Sequence, residues 1–207
     1  GSLQENRSRK IGSAFMEMAN RWAFKEWAVV CEALASGRQS LILRKGGIHE
    51  GAGGFQVEHP EFWLFATRFH QNRDELSDES HSWFDALETQ SHPEGMILLR
   101  GYAVVKAVHR LTDERQLASL AGCHVLSERT VSERFHYRTP GLFVLSTRIH
   151  VPPKPLWIPD SPHFGGCRTW VDLPQELPTS GLLPVLSDAE FERANSQLAT
   201  RFGAAVC

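Results

Sequence analysis

Residues 44 to 55 read RKGGIHEGAGGF, two cations and five glycines within twelve positions. That composition suits a loop whose backbone N–H groups cradle phosphate. A nucleotide loop of the Walker type needs its glycines before the lysine, Ser or Thr directly after it, and then a helix. Here Arg44 and Lys45 precede Gly46 and Gly47 and a strand follows, and no GxGxxG is present, so the order of residues excludes both nucleotide versions. Two readings remain. One is a hairpin whose glycines supply positive φ angles; the other is a loop in which Arg44 and Lys45, with Gly46 and Gly47, hold a phosphate or a carboxylate.

Glu26 is the second residue with chemical potential. On a helical wheel drawn through FMEMANRWAFKEWAVVCEALASG it falls among Phe15, Ala19, Trp22 and Val30, on the apolar face. An unpartnered carboxylate there would be costly, so Glu26 calls for a cation or a raised pKa. Arg44 and Lys45 are the candidate partners, and Glu26, Lys45 and His70 are the candidate acid–base residues. His70 ends FWLFATRFH with Gln71 beside it. His49, Glu50, Glu58 and His59 precede it, an imidazole-and-carboxylate set of the kind that holds a metal, although no HExxH spacing occurs. Glu58, His59 and His70 are therefore the weak candidates for a metal, and the residues leave any cofactor unknown.

Two further stretches carry cations. HFGGCRTW turns at Gly165-Gly166 and presents Arg168 and Trp170, a guanidinium and an indole suited to a base or another planar ligand. Its His163 and Cys167 lack the third group a Cys–His nucleophile needs. SERTVSERFHYR places Arg129 and Arg134 on a short helix with His136 and Arg138 after it. Glu128 and Glu133 dilute the patch, so a salt-bridged helix competes with a phosphate-contacting one.

These residues need a scaffold, and 207 residues at 42% hydrophobic and 22% charged suit an ordinary globular domain. The formal net charge of −2 supplies no global field for nucleic acid, so any such contact must be local. Arginine outnumbers lysine heavily, which favours planar, bidentate contacts. No apolar run is long enough to span a bilayer, and four scattered cysteines without CxxC point to a reducing cytoplasm, with no membrane partner.

The periodicity predicts an amphipathic helix from Phe15 to Gly37, a strand at SLILRK, strand material in FQVEH and FWLFATRFH broken at Pro60, and a helix in DESHSWFDALET. It then predicts one or two strands in GMILLRGYAVVKAVHRL, a helix in TDERQLASLAG capped by Thr112, and a helix in SERTVSERF capped by Ser127. LFVLSTRIHV is a strand, PPKPLWIPDSP a proline-rich extended segment, and GGCRTWVDL a last strand. After Pro174 come loop and a helix opened by the box Ser187-Asp-Ala-Glu190. The fold class is α+β: an N-terminal amphipathic helix packed on a mixed, mostly antiparallel sheet or small barrel, with a C-terminal helix. Residues 1–14 read as a tag remnant and disordered N-terminus. Residues 15–175 form a single domain or two lobes (15–95 and 96–175), and 176–207 a loop and helix.

FKEWAVVCEAL, LILRKGGI, FWLFATRFHQ, VSERF and GGCRTWVDL, in that order, resemble the domain of unknown function 1802 family over about residues 22–173. The resemblance carries Lys25, Glu26, Trp27, Arg44, Lys45, Gly46, Gly47, His70, Gln71, Arg134, Gly165, Gly166, Cys167, Arg168 and Trp170. It implies no activity. Association of some members with a restriction-endonuclease-like domain implies a restriction or DNA-processing setting in bacteria. A tyrosine is common in the family near His163 and Phe164, which weakens a role for His163. The order YAVVKAVHRL, helix, helix, LFVLSTRIHV also resembles small barrels of the pseudouridine-synthase-associated RNA-binding type.

Three functions follow. The first is a nucleic-acid-associated module whose ligand-binding residues are Arg44, Lys45, Gly46, Gly47, Gln71, Arg134, Arg168 and Trp170. The second is a scaffold for a small anionic ligand or a partner protein. The third is a metal-dependent, nuclease-like hydrolase using Glu26 or Glu32 with Glu58, Glu61 and Lys45; the helix-then-SLILRK order resembles the opening of restriction-type nuclease cores, without their acid on the next strand or their ExK. Whether the chain is an enzyme is left open by the residues alone.

Overall fold

Residues 19–37 divide into two elements where the periodicity predicts one helix. A computed structural model describes residues 16, 18–45, 49–51 and 54–202, and in it β1 (Ala19–Trp27) is a strand that passes directly into α1 (Ala28–Ala35). The reason is tertiary. Trp22, Phe24 and Trp27 are good strand residues, and both edges of β1 are taken by neighbours, Ala23 lying opposite Trp63 on one side and Val171 on the other. Only AVVCEALA, without such partners, is left to wind.

The remaining strands are β2 (Leu41–Arg44), β3 (His49–Gly51), β4 (Gly54–Gln56), β5 (Glu61–Thr67), β6 (Met96–Leu111), β7 (Leu142–Val151), β8 (Leu156–Pro159), β9 (Trp170–Pro178) and β10 (Leu183–Pro184). The helices are α2 (Asp78–Glu88), α3 (Glu128–His136) and α4 (Asp188–Phe202). The fold is α+β, with a mixed, mostly antiparallel open sheet in the order β10-β7-β6-β5-β1-β9. β2 also lies along β7, and β8 follows β7 along β6. The β1–β5 pair is parallel; β3 and β4 form a separate hairpin. Residues 46–48, 52 and 53, including Gly46 and Gly47, lie outside the described residues, as does the predicted N-terminal tail.

Both faces of the sheet are covered, which explains why FWLF in β5 is continuously apolar rather than alternating. Phe62 and Leu64 join Phe24 under α1, α2, α3 and α4, through Leu34, Phe84, Phe135 and Leu198. Trp63 and Phe65 point the other way, to Tyr102, Phe164 and Val171. In that second layer the Asn20 amide donates to the Glu61 carbonyl (2.8 Å) and to the Tyr102 hydroxyl (3.0 Å), which donates in turn to the Glu61 carboxylate (2.8 Å).

Three local readings shift. The helix expected after Thr112 is a 3₁₀ segment, Glu114–Leu120, and its cap is Asp113, in a box with Gln116, rather than Thr112. Leu156–Pro159 is a ladder strand, Leu99 and Ile97 of β6 giving its apolar residues partners. β9 continues past Pro174 to Pro178: the pairing with β1 slips between Trp22↔Asp172 and Asn20↔Leu177, and Pro174 falls inside that irregularity, where its missing N–H breaks no bond. The Ser187–Glu190 box opens α4 as the sequence predicts. Among the described residues no helix is long and apolar enough to cross a membrane.

Candidate functional site

Because β1 is a strand, its side chains alternate beyond the irregularity at Arg21: Trp22, Phe24 and Glu26 share one face, Ala23 and Lys25 the other. Glu26 is 4% exposed, and one oxygen accepts from the Trp27 N–H (2.8 Å). The other lies 3.6 Å from the Arg44 guanidinium. Arg44 also donates to the Thr169 hydroxyl (2.8 Å) and lies over the Phe24 ring, 4.7 Å from its centre. Burial lowers the Arg44 pKa, Glu26 opposes that shift, and the nearby charge of Arg134 adds to it. Arg134 lies 5.1 Å over the Trp27 ring. The pairing of Glu26 with Arg44 stands, although the helix meant to deliver Glu26 does not.

Several other candidates are engaged internally. Lys45 gives its ammonium to the carbonyls of Phe135 (2.8 Å), Gly141 (2.8 Å) and Thr139, all at or beyond the C-terminus of α3. Gln71 accepts from the Val29 N–H at the start of α1 (2.8 Å) and donates to Glu88 (3.1 Å). On α3 and beside it, Arg129 pairs with Glu133 (3.7 Å) and His136 with Glu114 (3.4 Å).

Among the described residues the histidines do not gather. His59 is sandwiched between aromatic rings, parallel to Trp22 at 3.9 Å and edge-on to Trp170 at 4.8 Å, with Glu58 at 3.7 Å. Burial lowers its pKa, so the ring is neutral at neutral pH. His70 follows the far end of β5, exposed, in a left-handed conformation (φ 60°) and against Phe69. Seven strand residues separate it from His59, on the order of 20 Å. Among the described residues no three His, Cys, Asp or Glu side chains group as metal ligands. The side chains of His49 and Glu50 lie outside the described residues. His163 faces the Asp172 carbonyl (3.2 Å), and the exposed Cys167 has no hydrogen bond to a described residue.

What the fold does assemble is a cleft of about 260 Å³ around Trp22, Lys25, Gly165, Arg168, Trp170 and Asp172. Lys25 is anchored on the carbonyls of Phe164 and Gly166 (the latter at 3.1 Å). Its pKa is lowered by burial first and by the charge of Arg168 second, so the two cations feel each other. Arg21 holds Asp172 in an ion pair. Arg168 is exposed and makes no hydrogen bond or ion pair with any described residue. A guanidinium without a partner among the described residues, near an ammonium in a cleft also lined by Trp22 and Trp170, is equipped to meet an anion joined to a planar group. The helical reading hid Trp22 and Lys25; the alternation of Ala23 and Lys25 with Trp22, Phe24 and Glu26 is the signal that marks a strand.

The family described as Domain of unknown function (DUF1802) matches residues 23–197. No curated protein matches the chain. Among solved structures, the ASCH protein from Zymomonas mobilis is similar at 17% identity and a TM-score of 0.40, covering 88% of this chain and 96% of its own. A mutant form of the same protein gives 16% identity and a TM-score of 0.42 over 84% and 96%.

Proposed function

Since the chain belongs to the DUF1802 family, whose description carries no activity, we propose a function from its own geometry: a nucleic-acid-associated module that meets phosphate at Lys25 and Arg168 and a base at the indoles of Trp22 and Trp170. The observation that supports this reading is the Arg168 guanidinium, without a partner among the described residues, near Lys25 in a cleft also lined by Trp22 and Trp170. With a formal net charge of −2, attraction is local and contact-dependent rather than a diffuse field. The restriction or DNA-processing setting implied by the family resemblance makes single-stranded DNA the first polynucleotide to test, with RNA beside it.

A small anionic ligand is the second reading, favoured by one observation. A cleft of about 260 Å³ holds a single compact group, and Arg44, Lys45 and Gln71, which would have extended it into a patch, are engaged within the fold.

Fluorescence anisotropy of labelled single-stranded DNA and RNA, followed as salt rises from about 50 to 200 mM, tests the proposal. Arg168→Ala should weaken binding several-fold and make the salt slope shallower by about 0.7 to 0.9, the value of one lost phosphate contact. Binding that ignores both salt and Arg168→Ala would remove it. Saturable competition by inorganic phosphate, with no polynucleotide binding, would select the second reading.

A further inference from the structure

A second concavity, of about 210 Å³, opens where the start of α1, the end of β5, the end of α2, the first residues of β6 and β8 meet. Its floor is aliphatic, from Ala28, Ala66, Leu87 and Leu98. Trp157 forms one wall, with the His92 ring edge-on at 5.5 Å. The phosphate-facing cations proposed above are not part of it.

The rim is polar and balanced. Arg100 forks onto Glu32, with one bond at 2.9 Å. Arg68 reaches both His92 and Glu88, the latter at a loose 3.8 Å. Burial lowers the His92 pKa and the Arg68 charge lowers it further, so His92 is neutral at neutral pH. Two guanidinium groups therefore face two carboxylates, and the rim offers no net charge to an ionic ligand. It offers separate donors and acceptors, from Arg68, Glu88 and the Gln90 amide, above an apolar floor.

Size and chemistry narrow the occupant. An apolar cavity of about 150 Å³ is known to hold benzene, so this space suits one or two fused rings. A plain hydrocarbon ring would leave rim groups without partners, which is costly where water is excluded. We propose that this cleft binds an uncharged nucleobase, its ring face against Trp157 and its hydrogen-bonding edge toward Arg68, Glu88 and Gln90. The base arrives on a free nucleoside or unstacked from a polynucleotide; the ring chemistry is the same.

Calorimetric titration of the full chain with adenosine, guanosine, cytidine and uridine, and separately with single-stranded oligonucleotides, tests this. Two substitutions act in opposite senses: Trp157→Ala removes the wall, and Ala66→Leu fills the floor. Thermal melts confirm that each variant folds. Saturable binding of at least one nucleoside, weakened about tenfold by both substitutions and untouched by Arg168→Ala, establishes the free-nucleoside form. Silence with nucleosides, but oligonucleotide binding that both substitutions weaken, establishes the strand-borne form. No heat from either up to about 1 mM, or binding that both substitutions leave intact, overturns the proposal. Oligonucleotide binding lost only in Arg168→Ala would retain the phosphate cleft while rejecting this one.

Discussion

Arg44 of β2 stands 3.6 Å from Glu26 of β1, although the two strands share no ladder hydrogen bonds. β2 lies on the outer edge of β7, and β1 lies beyond β7, β6 and β5, next to the opposite edge strand β9. The same guanidinium also donates to Thr169, which immediately precedes β9. An open sheet is thus curled until its two edges approach, and a side-chain bridge spans them where a closed barrel would place a ladder.

The bridge makes a sharp energetic prediction. Breaking a buried pair from one side strands the other charge, so Glu26→Ala or Arg44→Ala should each cost about 3 to 5 kcal/mol, and the double substitution less than their sum. Urea denaturation measures all three. A single-variant cost below about 1 kcal/mol would mean that the pair behaves as a solvated surface contact.

Lys45 should behave as a structural cation. Its bonds to Phe135, Thr139 and Gly141 close the chain after α3, so Lys45→Met should cost about 1 to 3 kcal/mol. Polynucleotide affinity should not change. A loss of affinity in a fully folded Lys45→Met protein, read by anisotropy, would return this residue to the binding surface.

Tyr102→Phe removes the hydroxyl that links Asn20 to Glu61 in the second layer. The ring and its packing on Trp63 (5.0 Å between centroids) remain. A loss of about 1 to 3 kcal/mol is expected from the vacated polar bonds alone, visible as a shift in urea midpoint with an unchanged slope.

Stability should fall on acidification below neutral pH. Burial, with the charge of Arg134 adding to it, lowers His124 to about 4; burial, with Arg148 and Lys106, lowers His150 to about 4. Both are depressed below the ordinary value of 6.5, so the unfolded chain binds more protons between pH 6.5 and 4. The stability they confer is complete above about pH 6.5 and is lost as pH falls toward 4, by about 1 to 2 kcal/mol each after allowance for solvent screening. Thermal melts of His124→Gln and His150→Gln across that window should show a flatter pH dependence than the parent. Superimposable profiles would remove the assignment.

Legibility varied with how locally each element was determined. Ser127 and Ser187 cap α3 and α4 as their spacing implied, because a cap needs only its own turn. β6 and β7 were readable because Val- and Ile-rich runs of that length suit a strand flanked by others. β1 was not. Its apolar residues satisfied a helical period, and only the capture of its edges by β5 and β9 decided for the strand.

The sequence by itself determined the family, the α+β class and the need of Glu26 for a cation, since each follows from residue identity and from the cost of burying charge. Tertiary structure alone decided which cation answers, and which remain free. Arg44 reaches Glu26 because the sheet curls, while Lys45, just past the end of β2, turns to α3. Arg168 and Lys25 lie 143 residues apart along the chain and share a cleft because β9 is laid against β1. No local spacing encodes that, because the encounter depends on the register of two strands brought together only by folding.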